Sequence, residues 1–140
     1  MVYLKVSPMK GMKRFGVKGK LSPRYIGPFK ILSQNRKLAF ELELPKELNQ
    51  VHNVFHVSQL RKCLKAPEES ITHKEIELQA DLTYVERPAK ILEENWKRLR
   101  NRAIKFCKVQ WKNHPEREAT WEKEEDLREA YPELFRYSYP

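Results

Sequence analysis

From Leu38 to Leu44 the chain alternates apolar and polar side chains: Leu38, Phe40, Leu42 and Leu44 on one side, Ala39, Glu41 and Glu43 on the other. A period of two fits an extended strand with one buried face and one wet face, because successive side chains on a strand point in opposite directions. The neighbouring stretches are short and of the same kind. Val2 to Val6 reads as a strand, and Tyr25 to Leu32 (YIGPFKIL) as another, with Gly27-Pro28 marking a bend or bulge at its start. Ser33 to Lys37 is a polar turn. After the breaker Pro45, the residues Val51, Val54, Phe55 and Val57 supply apolar surface to finish a small core. Short strands with polar turns and no long helix point to a small β-barrel or sandwich. About 60 residues can close such a core, with little to spare.

Lys65 to Thr83 is polar, acidic and poor in aromatics, and reads as a linker with one brief strand around Ile76 to Leu78. Tyr84 then opens a second unit. Ala89 to Leu92 reads as a strand. Ile104 to Trp111 reads as a longer one, with Cys107, Val109 and Trp111 sharing a face. Thr120 to Glu122 is a third. Glu124 to Tyr131 reads as a helix whose first turn holds Glu124, Glu125 and Asp126, where acids suit the helix dipole. Leu127, Tyr131 and Leu134 form a stripe able to cap a sheet, and Pro132 should end or kink the helix. The expected organisation is therefore a first module over 1–64, a linker over 65–83 and a second module over 84–140.

The 140 residues carry a net charge of +9, and that excess is unevenly placed. Met1 to Leu64 holds 13 basic and 3 acidic residues, the linker 2 and 5, and Tyr84 to Pro140 13 and 11. Met1 to Arg24 contains Lys5, Lys10, Lys13, Arg14, Lys18, Lys20 and Arg24 and no acid. Uncompensated cations of this kind suit a phosphate backbone. Gly11, Gly16 and Gly19 among them let the main chain approach a ligand closely. A merely solubilising basic loop is the alternative. A mean hydropathy of −0.78 and the lack of any apolar run of about 18 residues argue against a membrane partner.

Catalytic motifs are missing. No Gly-rich phosphate loop, HExxH, GxSxG or CxxC occurs, so the residues present do not suggest an enzyme and imply no cofactor. His52, His56 and Cys63 mimic three zinc ligands, but a fourth is lacking and Phe55 and the valines around them look like core, so no metal site is expected. Cys63 and Cys107 are expected as reduced core fillers.

Two blocks of the sequence are also similar to known modules. YIGPFKILSQNRKLAFELELP, followed by VHNVFHVSQLRKC and preceded by LKVSPMKGMKRFGVKGKLSPR, resembles the integrase C-terminal domain of gypsy-class LTR retrotransposons. The resemblance spans about residues 1–64. It implies an SH3-like barrel that binds DNA without strong sequence preference, with Gly27, Pro28 and Phe29 as a structural signature. It also implies DNA contacts on the basic loop from Lys10 to Arg24 (Lys10, Lys13, Arg14, Lys18, Lys20, Arg24) together with Lys30, Arg36 and Lys37.

The second unit resembles a chromodomain, a three-stranded curved sheet closed by a C-terminal helix. The matching blocks are Ala89-Lys90-Ile91-Leu92-Glu93, Lys108-Val109-Gln110-Trp111-Lys112 and Thr120-Trp121-Glu122. Chromodomains enclose a methylated lysine in three aromatics through cation–π attraction. Here Trp111 fits the middle position and the third falls on His114, a poorer wall. The first falls near Glu86, with Tyr84 two residues away and so on the same strand face. The candidate cage is thus Tyr84, Trp111 and His114, against the alternative that Trp111 and Trp121 are core residues and no cage exists. The basic turn from Lys97 to Arg102 is a further nucleic-acid contact or a solvated hairpin.

Together the resemblances imply a mainly β protein with a C-terminal helix: an SH3-like barrel followed by a chromodomain, without the integrase catalytic core. The implied role is the nuclear, non-catalytic tail of a retrotransposon polyprotein. It would hold DNA non-specifically, meet chromatin through a histone tail, and work with the rest of the integrase polyprotein. A host chromatin adaptor that reads histone tails is the alternative.

Overall fold

The computed structural model describes residues 1–11, 21–48 and 50–136. Ten strands run in the order β1 (Val2–Lys10), β2 (Arg24–Phe29), β3 (Ile31–Asn35), β4 (Ala39–Leu42), β5 (Val54–His56), β6 (Leu60–Arg61), β7 (Thr83–Glu86), β8 (Pro88–Arg98), β9 (Ala103–Trp111) and β10 (Thr120–Lys123). One α-helix follows, α1 (Glu124–Ala130). Among the described residues the chain is therefore mainly β with one C-terminal helix. It divides into two compact units, Met1–Met9 with Ser22–Val85, and Lys10–Leu21 with Glu86–Pro140.

In the first unit β1 is central. It pairs antiparallel with β2 and β6, and also with β7. A second sheet has the order β3-β4-β5. Their inner faces enclose Val2, Leu4, Val6, Ile26, Phe29, Leu42, Leu48, Val51 and Phe55. The alternation at Leu42 does turn its side chain fully inward, and Phe40 is half-buried, but Leu38 lies beyond the strand in the turn and is 55% exposed. Tyr25 to Leu32 is not one strand: it breaks at Lys30 into β2 and β3, which belong to different sheets. Gly27 adopts φ +128°, which only glycine takes easily, and a Cβ there would lie 3.1 Å from Phe29 N and Val2 O. Its peptide bond to Pro28 is cis. The Gly-Pro-Phe signature is thus a backbone device that drops Phe29 into the core.

The segment expected as a linker, 65–83, belongs to the first unit. Leu78 and Tyr84 are buried in its core, with Ile71, Ile76 and Leu82 packed against it. Main-chain bonds hold it down: Ile71 N–H to Tyr25 O at 2.9 Å, and Ser7 N–H to Leu82 O at 2.9 Å. The physical reason is spacing. Ile71, Ile76, Leu78 and Leu82 are sparse among acids, yet each packs on the core because this stretch follows it as irregular chain and a short 3-10 turn (His73–Glu75) rather than as the brief strand expected, and Tyr84 joins through β7, which pairs with β1. Tyr84 therefore closes the first unit instead of opening the second.

The second unit is the antiparallel sheet β10-β9-β8, closed by α1. Cys107, Val109 and Trp111 do share one face, and it packs on Leu127 and Tyr131, with Ile91, Leu134 and Phe135 alongside. Leu21 joins this same cluster. The helix ends at Ala130, before Pro132, as the sequence suggests. Glu124, Glu125 and Asp126 occupy its first turn.

Candidate nucleic-acid interface and the second-unit polar cluster

Of the nine cations expected to contact DNA, the structure places five. Lys13, Arg14, Lys18 and Lys20 lie outside the described residues. Lys30, Arg36 and Lys37 are exposed on the first unit, and among the described residues no ion pair engages them. Arg36 sits at the tip of the β3–β4 hairpin with φ 61°, a left-handed conformation uncommon for a long side chain. The Gln34 amide donates to Lys37 O at 3.3 Å and helps close this turn. The three are free to meet an anion.

Arg24 and Lys10 are not. Arg24 is 2% exposed, and its guanidinium donates to Pro23 O at 3.0 Å. Lys10 donates to Glu122 Oε2 at 3.2 Å, with side-chain exposures of 11% and 0%. These two cations are corrected from ligand contacts to internal ones. Sequence alone shows a positive charge, but a buried carboxylate must find a partner from somewhere, and Lys10 supplies it.

Glu122 anchors a buried polar chain. The Trp111 indole N–H donates to Thr120 Oγ1 at 2.8 Å, and the Thr120 hydroxyl donates to Glu122 Oε2 at 2.6 Å. Trp111 is fully buried and faces Tyr131 edge-on, with ring centroids 6.5 Å apart. It is therefore a core residue. Trp121 is not: it is 41% exposed.

The candidate cage is not assembled from the expected walls. Tyr84 is fully buried in the first unit's core, while Trp111 and His114 are buried in the second. At the place where the resemblance expects an aromatic stands Glu86, 2% exposed. His114 Nε2 lies 3.2 Å from Glu86 Oε2, and its Nδ1 lies 3.2 Å from Glu118 Oε1. The Asn113 amide also donates to Glu86, at 3.4 Å. Glu86, His114 and Glu118 form a buried carboxylate–imidazole cluster in place of the expected cage of Tyr84, Trp111 and His114. Asn113, at φ 69°, turns the chain so that His114 points inward.

The suspected zinc trio does not converge. His52 and His56 are exposed, and His56 Nδ1 accepts from Ser58 N–H at 3.0 Å as the cap of a short 3-10 turn. Among the described residues, Glu94, Cys107 and Glu124 place donor atoms within 4.8 Å of one another. The Lys105 ammonium already bridges those carboxylates, 3.3 Å from Glu94 and 3.5 Å from Glu124. Partial desolvation opposes its charge, but the two carboxylates prevail and hold its pKa above the usual range. Burial, reinforced by Glu124 and Glu94, pushes the Cys107 thiol up, so it stays protonated and inert. Cys63 is half-buried.

The first unit thus has the two-sheet build of an SH3-like domain, and a family model described as Tf2-1-like, SH3 domain, matches residues 1–64. That family is retrotransposon-associated and non-catalytic, and the match fits an integrase C-terminal SH3-like module. No curated protein and no solved structure matches the chain.

Proposed function

We propose that the chain is the nucleic-acid- and chromatin-binding tail of a gypsy-class retrotransposon integrase, acting in the nucleus beside the rest of that polyprotein. The observation that carries this reading is the family match over residues 1–64, on a unit whose hairpin lifts Arg36 and Lys37 into solvent and which also exposes Lys30. Phosphate contacts from such side chains fix position on a duplex and read no sequence. The second unit is read as a chromodomain derivative on its sequence blocks and on its sheet-and-helix build. Its closed Glu86–His114 cluster argues for chromatin targeting by contacts other than a methyl-lysine cage.

The test is fluorescence anisotropy of the full chain on a mixed-sequence duplex over a salt series. If about six cations engage the backbone, log affinity falls with log salt at a slope near −5, from roughly −0.9 per contact. Equal affinity for unrelated sequences is expected. A flat salt response overturns the reading.

A further inference from the structure

The outward face of the β8-β9-β10 sheet has a composition that core packing does not require. The registers place Trp121 opposite Lys108 and Lys108 opposite Glu93, while Lys123 lies opposite Phe106 and Phe106 opposite Asn95. Trp121 and Phe106 are therefore diagonal neighbours on one face. This is the side opposite Cys107, Val109 and Trp111, which point into the core. Lys90, beside Gln110, and Lys97, beside Ile104, extend the same face. It carries four lysines against one acid, Glu93, which lies 3.6 Å from Lys108.

The sequence supports this face independently. From Asn95 to Pro115 there are seven lysines and arginines and no acid, with Lys105 and Lys108 paired to acids outside the run. Because β10 pairs only with Phe106 to Val109, the end of the β8–β9 hairpin continues past it as a two-stranded ribbon. Leu99 N–H bonds Arg102 O at 2.7 Å to close the ribbon, and Arg98, Arg100 and Arg102 are exposed around that turn.

We propose that this outward face is a binding platform for single-stranded nucleic acid, independent of the duplex contacts assigned to the first unit. A flat aromatic surface 41% open to solvent offers a base a stacking partner, and every base has a π-face, so such recognition tolerates any sequence. The lysines around Trp121 and the arginines of the ribbon then follow the phosphates. A duplex keeps its bases stacked on each other and gains little from Trp121, whereas a single strand gains both terms. The 2′-hydroxyl would separate RNA from single-stranded DNA.

The experiment titrates the full chain with labelled oligo-uridine, oligo-thymidine and a mixed-sequence duplex, each of about 12 nucleotides, within the range one small module covers. Trp121→Ala should weaken both single-stranded probes about tenfold or more and leave the duplex unchanged, since loss of one stacked base is worth that much. Trp121→Phe should restore most of the affinity. Replacing Arg98, Arg100 and Arg102 with glutamate should weaken the single strands and flatten their salt dependence. Preference for uridine assigns the ligand to RNA, and equal binding assigns it to unpaired strands of either kind. The inference fails if Trp121→Ala binds single strands like the parent chain, or if an acidic polyglutamate peptide competes as well as the oligonucleotides. Exchange of Arg36 and Lys37 for glutamate, which reports on the first unit, should alter only the duplex titration, so the two readings fail separately.

Discussion

Glu86 and His114 face each other 3.2 Å apart inside the second unit, and both side chains are almost fully withdrawn from water. Removing one partner leaves the other buried with fewer bonds, which is costlier than removing both. Glu86→Leu should destabilise the chain by about 3 kcal/mol. The double replacement Glu86→Leu with His114→Phe should cost clearly less than the sum of the single changes. Denaturant unfolding of the four proteins in a double-mutant cycle checks this, and additive losses would show that the pair is not coupled.

The same pair predicts how the second unit treats histone tails. With Trp111 bonded to Thr120 and His114 held between two carboxylates, these candidate walls form no open box among the described residues. Trimethylated and unmodified lysine peptides should therefore titrate alike by calorimetry. A methyl-dependent affinity would mean that the cluster opens.

Boundaries drawn from sequence misplace the end of the first unit, which leads to a stability prediction. A fragment ending at Leu64 lacks Leu78 and Tyr84, both part of the core. Burying each such side chain is worth about 1.5–3 kcal/mol, so this fragment should unfold far more readily than one ending at Val85. Within the full chain, Tyr84→Ala should cost about 3–5 kcal/mol, as expected for a large core residue. Thermal melts followed by circular dichroism measure both.

Two cations of the first 64 residues should behave in opposite ways. Lys37→Gln should leave stability unchanged and reduce the salt slope of duplex binding by about 0.9. Lys10→Met should leave Glu122 buried without its ammonium and lower stability by about 2 kcal/mol, with little direct effect on DNA. Equal effects of both changes on the salt slope would show that Lys10 leaves Glu122 to meet phosphate.

Cys107 and Tyr131 are both held in their protonated forms chiefly by burial, each with a pKa raised above its ordinary value. In the unfolded chain they ionise at lower pH than in the folded one. Their contribution is therefore complete below the ordinary thiol and phenol pKa values and is lost as pH rises above them. Denaturant midpoints should fall from pH 8 to pH 11, and Cys107→Ala should reduce that fall. In the native chain at neutral pH, Cys63 should react with a thiol reagent faster than Cys107.

What could be read directly from the sequence was what depends on local period. Cys107, Val109 and Trp111 fall on one strand face because the spacing in the chain repeats the spacing in space, whereas Leu127, Tyr131 and Leu134 share a core although only Leu127 lies on α1, which ends at Ala130. Leu78 and Tyr84 could not be placed this way: Leu78 lies in irregular chain, and Tyr84 lies in a four-residue strand, β7, whose partner β1 is far away in sequence. Charge misled in the same manner. Lys10, Arg24 and Lys37 look alike as letters, and only the position of Glu122, 112 residues beyond Lys10, distinguishes the first from the last. Trp121 differs again. Thr120 and Glu122 face inward, so Trp121 faces the other side of β10, and the letters do not reveal this because the inward pair is polar.

Lys10 and Leu21 group with the C-terminal unit although they lie inside the N-terminal one in sequence order. The two parts are consequently not beads that a protease or a recombination event can separate with one cut. Any break between Val85 and Glu86 still leaves the rear portion missing the Leu21 side chain from its interior and the ammonium that neutralises its most secluded acid. A functional exchange of either part with a relative would have to carry this early stretch along with the tail it serves.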